Sequence, residues 1–423
     1  MKNNKLILSK EELYKEMGSD YKDLLYLFDD KFGIINAVLK RKELKKYNLY
    51  MYQCLSANVK DLFCLSREVS SGGLGVSNSK KRAIISCLAE AIERYCMSYI
   101  SLDEVYLSKL QNISDAHKLD DFYTYNSLQY SEQKQFLNPY KDEIYWTKIY
   151  SVTSKKKWKY WPASLIYLPF ELSNSVAENT STGMAAGSSL HECILSGLLE
   201  LIERDALMIN FLQRLNPLEI DINSITHVTL IEKIKKDYKL KIYKLYSDID
   251  VPIYLSFIWK EKFGNLHYGI GASAHLDSDE AINKALKESL FTYFYSKNIM
   301  DMKKNNAQDI TALYEHFLYY QDEKFYKLLF SSKIEKYEYK KIDEKHLMQQ
   351  LSKNGIEVYY KDLTTDDIKA SGIKVVKVIA PSLIDLNKSH QLPRLGAKRF
   401  WSVPKKLGLL VHDTLSDLPH PFP

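Results

Sequence analysis

Cysteine, long apolar runs and clustered charge of one sign are all scarce in this chain, and each shortage removes a class of protein. The five cysteines (Cys54, Cys64, Cys87, Cys96 and Cys193) are odd in number and include no C-x-x-C pair. Neither a disulfide framework nor a zinc site made by this chain alone is therefore expected. Cys87, Cys96 and Cys193 fall in two helix-like stretches, where cysteine usually serves as a small buried apolar residue. No apolar run approaches the length of a membrane span. Leu6, Ile7 and Leu8 are followed at once by charged residues, too short a core for a signal peptide. A soluble, cytoplasmic protein is expected. The net charge of +6 on 59 basic and 53 acidic residues is scattered as Lys-Tyr and Lys-Lys pairs, without the stripe that nucleic-acid binding requires. The two commonest nucleotide signatures are missing as well. Gly72, Gly73 and Gly75 do not lead into Gly-Lys-Ser/Thr, and their spacing is not that of a dinucleotide fingerprint.

What the chain does have is a repeated acidic row. Glu90, Glu93 and Arg94 stand in SCLAEAIERY, and Glu200, Glu203 and Arg204 in SGLLELIERDA. At about 100° per residue, Ile84, Leu88, Ala91, Ile92, Tyr95 and Tyr99 gather on one side of the first stretch, opposite Ser86, Glu90, Glu93 and Arg94. In the second, Leu195, Leu198, Leu199, Ile202, Ala206 and Ile209 form the apolar side, and Glu192, Ser196, Glu200, Glu203 and Arg204 gather on another. Such a row is an ordinary solvated helix face with i,i+4 pairs. It is equally a seat for Mg²⁺ ions carrying a polyphosphate, with the arginine reaching phosphate oxygens.

The rest of the chain reads as strand, loop and helix without strict alternation, an α+β domain with an approximate internal duplication. Strands are expected in FGIINAVLK, NLYMYQCLSANV, DEIYWTKIYSVT, KWKYWPASLIYL, KLKIYKLYSDIDVPIYLSFIW, HYGIGASAHL and IKVVKVIAPSLIDLN. A helix is expected in DEAINKALKESLFTYFYS. SSGGLGVSNSKK and SNSVAENTSTGMAAGSS read as loops feeding the two acidic helices. Residues 1–60 form a charged lead-in and 61–423 the main domain, with 300–350 a helical insertion. Gly187-Ser188-Ser189 opens the second helix in a way that suits phosphate; Ser189-x-x-Glu192 is also a capping box, in which Glu192 would serve the backbone. The chain ends Pro419-His420-Pro421-Phe422-Pro423, a stiff segment that docks with little entropy loss, a disordered end or a ligand for a partner domain.

Together these residues resemble the YcaO family, in particular its azoline-forming cyclodehydratases, which modify ribosomally made peptides. The resemblance rests on S-x-x-x-E-x-x-E-R (Ser86 to Arg94), G-x-A-A-G (Gly183 to Gly187), and E-x7-E-x-x-E-R-D (Glu192 to Asp205). It continues through A-x-x-x-A-L-x-E (Ala281 to Glu288), P-R-L-G-x-x-R (Pro393 to Arg399) and the terminal P-x-P-x-P. It implies the YcaO fold, with mixed sheets and helices around a central ATP site. The cofactors implied are ATP and Mg²⁺. The metal would fall to Glu93, Glu192, Glu200 and Glu203, and the nucleotide to Ser86, Glu90, Arg94, Ser188, Arg204 and Lys284. The Pro423 carboxylate is the implied general base. Three positions depart from the family pattern: Ser188 replaces its usual asparagine, Leu74 the lysine of a G-K-G loop, and Lys284 a common arginine.

The implied reaction is ATP-dependent cyclodehydration of Cys, Ser or Thr residues in a precursor peptide to thiazolines or oxazolines, as in bacteriocin biosynthesis. Residues 1–60 are too few for the module that binds a substrate's leader, so a separate leader-binding partner of the E1-like (ThiF-like) type is expected. A flavin-dependent azoline oxidase would be a further partner, and a homodimer suits a chain of this size. Two other readings keep the fold: a thioamide- or amidine-forming enzyme, against which the terminal P-x-P-x-P counts, and a non-catalytic subunit, against which the full set of glutamates counts.

Overall fold

The computed structural model describes residues 5–66, 72–116, 125–153, 157–262, 265–299, 306–320, 328–330 and 332–422. The chain divides into two compact units that cut across sequence order. The first comprises Met1–Asp121, Ser127–Leu198 and Val358–Ile379; the second comprises Phe122–Asn126, Leu199–Glu357 and Ala380–Pro423. Among the described residues no helix is long and apolar enough to cross a membrane.

The first unit holds two sheets. One has four antiparallel strands in sequence order, Lys5–Ile7, Ile35–Arg41, Tyr50–Ser56 and Gly73–Ser77. The helix Lys80–Ser98 covers this sheet, starting at Ser79, whose hydroxyl accepts from the Arg82 N–H. The second sheet runs Val105–Ser108, Ile144–Ser151, Tyr359–Asp362, Lys374–Ile379, Met184–Gly187, with Trp158–Pro162 paired to Ile144–Ser151. Its central strands come from distant parts of the chain.

The second unit is built on one sheet in the order Asn265–Ala274, Ile253–Lys262, Lys239–Lys244, Leu218–Ile220, Ile334–Glu335. Ile253 to Trp259 are buried without a break, as a strand covered on both faces requires. The last strand, Ile334–Glu335, joins in parallel to Leu218–Ile220 and comes from the 300–350 stretch. The helix Ser278–Ile299 packs along Asn265–Ala274, opened by Asp277, whose carboxylate accepts the Asp279 and Glu280 N–H groups.

The same strand-under-helix crossing occurs once in each unit, each time on a Gly-x-Gly. A Cβ on Gly75 would stand 1.8 Å from the Ala83 carbonyl oxygen, and one on Gly73 2.1 Å from that of Cys87. In the second unit, a Cβ on Gly271 would stand 2.3 Å from the Ala285 oxygen and one on Gly269 2.0 Å from that of Ser289. Backbone meets backbone at both crossings, so only glycine fits.

Several sequence expectations need correction here. SSGGLGVSNSKK is not simply a loop: Gly73–Ser77 is a strand, its glycines selected by helix contact rather than by turn geometry. Likewise Met184–Gly187 of the second glycine segment is a strand. Tyr99 does not belong to the apolar face, because the helix ends at Ser98 and the tyrosine is exposed. The helix Leu190–Leu212 is two-sided only at first; farther on, the polar residues Glu203, Asp205 and Asn210 are buried too.

These contacts predict that Gly75→Ala and Gly271→Ala each lower stability by about 3 kcal/mol, at the upper end of overpacking costs. Gly187→Ala, where the nearest atom is the Cys193 sulfur at 3.2 Å, should lose under ~1 kcal/mol. Denaturant midpoints of the three variants check the contrast.

Candidate functional site

In the first unit the acidic row of Lys80–Ser98 meets the edges of both sheets. Glu90 accepts the Leu74 N–H on one carboxylate oxygen at 2.7 Å and the Arg94 guanidinium on the other at 2.6 Å. Glu90 and Arg94 are each 34% exposed, so this pair is the solvated i,i+4 contact that helix statistics lead one to expect, worth a few tenths of a kcal/mol. Glu93 accepts the Ala186 N–H at 2.6 Å. Ser86 lies exposed one turn earlier on the same helix. At the start of Leu190–Leu212, the Ser189 hydroxyl accepts the Glu192 N–H at 3.2 Å, while the Glu192 carboxylate accepts from the Ser188 hydroxyl at 2.5 Å. Ser188 and Glu192 are thus brought together.

The second unit repeats the arrangement in a drier setting. Glu203 is 8% exposed and accepts the Ala274 N–H at 3.2 Å. Glu288, from Ser278–Ile299, accepts the Ala272 N–H at 2.9 Å. The next outward amide of that edge, Ile270, donates to Thr292 at 2.9 Å. Alternate residues of an edge strand present their N–H groups to one side, and here side chains cover three in succession. Arg204 lies 3.5 Å from Glu203 and 3.8 Å from Glu200.

Burial dominates the charges here. It pushes the Glu203 carboxyl up; Arg204 pulls the other way, and Glu288 and Glu200 add to the rise. Burial raises Glu288 as well. It works against charge on Arg204, but Glu203, Glu200 and Glu288 outweigh it and hold the guanidinium charged. Desolvation lowers Lys284, which lies one turn before Glu288, against the opposing pull of Glu203 and Glu280.

Behind this cluster stands a buried ion network. Asp205, fully buried, accepts two hydrogen bonds from Arg399 at 2.8 and 2.7 Å and the Ile384 N–H at 3.0 Å. Arg399 also reaches Asp248 at 2.7 Å, which Lys406 approaches at 3.1 Å. Burial raises Asp205 despite Arg399. For Asp248 the opposing pull of Arg399 and Lys406 wins, and its carboxyl is held low. The network fixes the Glu203-Arg204 turn from the protein side.

Two groups escaped the sequence reading of the site. Glu288 was visible within Ala285-Leu286-x-Glu288, and its place four residues after Lys284 was the available signal. The pairing of Asp205 with Arg399 joins residues 194 positions apart, and no local pattern signals it. Pro423 lies outside the described residues. Residues 419–422 are buried, so the tail docks up to Phe422 and its disordered alternative falls.

ATP and Mg²⁺ can be tested against these residues. Among the described residues no group of three or more His, Cys, Asp or Glu side chains is arranged to hold a metal ion. A site of this kind suits Mg²⁺ only where phosphate oxygens supply further ligands, which is how Mg²⁺ usually binds with nucleotides. Arg204 Nε is buried, makes no hydrogen bond among the described residues and faces Glu203 only at 3.5 Å, a loose ion pair that an added anion can compete for. The donor set fits a metal-bound polyphosphate.

The fold thus presents a set of glutamates, Glu90, Glu93, Glu203 and Glu288, each fixed by an edge-strand amide. Residues 74–384 match the family model described as YcaO cyclodehydratase, ATP- and Mg²⁺-binding, and the chain belongs to the YcaO family. Among solved structures it is similar to a heterocyclase in complex with substrate and cofactor, at 21% identity and TM-score 0.75 over 98% of this chain and 57% of that one. It thus spans little more than half of that relative's length. It is also similar to YcaO from Methanopyrus kandleri bound with AMPPCP and Mg²⁺, at 16% identity and TM-score 0.59 over 89% and 88% of the two chains. A third likeness is to the E. coli microcin synthetase McbBCD complex with pro-MccB17 bound, at 15% identity and TM-score 0.66 over 92% and 96%. No curated protein matches the sequence.

Removing the Asp205 carboxylate would take two of three hydrogen bonds from the buried Arg399 and leave Asp248 as its remaining carboxylate. Asp205→Ala should therefore cost roughly 3–5 kcal/mol, measured by chemical unfolding, with Asp250→Ala, at an exposed contact with Lys340, losing under ~1 kcal/mol.

Proposed function

We propose that this chain is the ATP-using subunit of a peptide cyclodehydratase, converting Cys, Ser or Thr residues of a ribosomally made precursor into thiazolines or oxazolines. The observation that carries the reading is that Glu90, Glu93, Glu203 and Glu288 each accept an edge-strand amide. These carboxylates are fixed in place by backbone, and family membership explains why acidic groups are so fixed.

Glu93, Glu192, Glu200 and Glu203 are the proposed Mg²⁺ ligands, with Glu288 added to them. Ser86, Glu90, Arg94, Ser188, Arg204 and Lys284 are the proposed nucleotide contacts. Ser188 is too short to replace an asparagine amide directly, and its hydrogen bond orients Glu192 instead. Lys284 brings a point charge where a guanidinium would form a fork.

ATP, when bound, supplies the phosphoryl group that turns a peptide oxygen into a leaving group. The attack itself is simple: a side-chain sulfur or oxygen of the precursor adds to the carbonyl carbon of the preceding peptide bond, and a proton must leave. Phosphate departure, with loss of the amide proton, closes the C=N bond of the ring. The chain's residues contribute by positioning and by electrostatic stabilisation. The Pro423 carboxylate is proposed to take the proton; the docking of residues 419–422 supports that role. A leader-binding partner is proposed by analogy with the assembled microcin synthetase, whose matched chain this one spans nearly end to end.

Glu93→Gln and Glu203→Gln keep an amide oxygen for the strand N–H. Both should keep their melting temperatures within a few degrees and lose peptide-dependent ATP hydrolysis by about 100-fold or more. Equal loss of folding and activity would reduce these residues to edge caps.

The direct test combines purified chain, a leader-binding partner, a Cys/Ser/Thr-rich precursor and ATP. Mass spectrometry should show loss of one water per ring with release of one phosphate. A chain extended by one residue beyond Pro423 should bind ATP but form no rings. No water loss from the complete, folded system would contradict the proposal.

A further inference from the structure

The end of the chain is held by a pair of histidines. His316, in the short helix Leu313–Leu318, and His420, in the tail, are both almost wholly buried. Their imidazoles stack with centroids 3.9 Å apart and planes 6° from parallel. His316 Nε2 stands 3.0 Å from the Lys388 carbonyl oxygen, and His420 Nε2 stands 2.8 Å from that of Asn387. A carbonyl only accepts, so each Nε2 carries a proton. The Phe422 N–H donates to His420 Nδ1 at 3.3 Å, so that nitrogen carries none. The hydrogen bonds therefore specify His420 as the neutral ring with its proton on Nε2.

The same cluster grips the residues on either side. The Tyr320 hydroxyl donates to the Pro419 carbonyl at 2.5 Å. The Phe422 ring lies nearly parallel to His420 and meets Phe211 edge-on. The charged and titratable neighbours are Arg204, His390, Asp417 and Tyr320. Arg204 and His390 both oppose a positive charge on His420, and His390 opposes one on His316. Asp417 acts on His390 and Tyr320.

We propose that His316 is a positioning residue, clamping the C-terminal tail by stacking its uncharged ring on that of His420 and so fixing the tail up to Phe422. The functional consequence rests on the reading of the Pro423 carboxylate as the base; the clamp itself does not. Charging either ring would set a cation against its stacked neighbour and, for His420, abolish the bond from Phe422.

Burial lowers His316 well below its usual range and His420 to about 4, whereas His420 on a released tail titrates near ~6.5, and His316, losing the ring stacked on it, moves up toward that value. Docking is at full strength above that value. Between ~6.5 and ~4 the released form takes up protons that the docked form refuses, so the docking constant falls by up to about tenfold per pH unit for each histidine.

The test is ¹⁹F NMR of the full chain carrying 4-fluorophenylalanine at position 422, without nucleotide or peptide. The docked signal should give way to a free one as pH falls from 7 toward 5. His316→Ala should release the tail already at pH 7. His316→Phe keeps a stacking ring without a titrating one. It should stay docked at pH 7 and lose docking less steeply, by about one power of ten per pH unit. A docked signal unchanged by His316→Ala at both pH 7 and pH 5 would overturn the clamp, as would a His316→Phe profile as steep as wild type. Because no turnover is read, a clamp that behaves as described in a chain that forms no rings would overturn only the cyclodehydratase reading.

Discussion

The interaction on which the rest of this structure depends is a carboxylate accepting the N–H of an edge strand. An edge strand presents unpaired amides that invite unwanted pairing, and in water each is satisfied cheaply. Here Leu74, Ala186, Ala272 and Ala274 are satisfied by glutamates. Such a bond contributes about 0.5–1.5 kcal/mol to a neutral carboxyl and up to ~3 kcal/mol to a charged one, enough to hold a flexible side chain in one rotamer. Each glutamate is thereby aimed by backbone, the least movable part of the fold. The Gly-x-Gly crossings belong to the same design, because only direct backbone contact lets Glu90 and Glu288 reach back to the strand beneath their own helix.

Electrostatics divide the acidic residues into two kinds. Glu90 and Arg94 remain about a third exposed, where their pairing contributes little. Glu203, Glu288 and Arg204 are withdrawn from water, and the cost of burial outweighs the mutual attraction for the carboxylates. A buried cluster with more carboxylate than cation is poor as a stabilising device. The proposed Mg²⁺ ligation would offset that excess of negative charge. The Asp205–Arg399–Asp248 network, by contrast, is closed on itself by hydrogen bonds, and it anchors the helix turn carrying Glu203.

Much of this was legible in the residues. Strands at Ile35–Arg41, Ile144–Ser151 and Ile253–Lys262 and the helix Ser278–Ile299 follow from periodicity and β-branched content. The glutamate spacing marked the two acidic helices and most of the candidate ligands. What escaped notice depended on contacts distant in sequence. Gly73 and Gly75 look like loop residues because the helix backbone that forbids a Cβ there cannot be seen in a local window. The pairing of Asp205 with Arg399 is similarly hidden, as is the return of Lys374–Ile379 to pair with Met184–Gly187. Glu203 looked like one member of a solvated row, and its burial appears only when Asn265–Ala274 and Ser278–Ile299 are folded around it.

If carboxylates fixed on strand edges are the heart of the site, they should repel a bare polyphosphate and welcome one that carries metal. Calorimetric titration of the chain with a non-hydrolysable ATP analogue, with and without Mg²⁺, tests this most directly. Binding should require Mg²⁺ and weaken by about tenfold or more in its absence, a difference of ~1.4 kcal/mol. Equal affinity without the metal would mean that the arginines and Lys284 carry the nucleotide, and that the glutamates serve the fold alone.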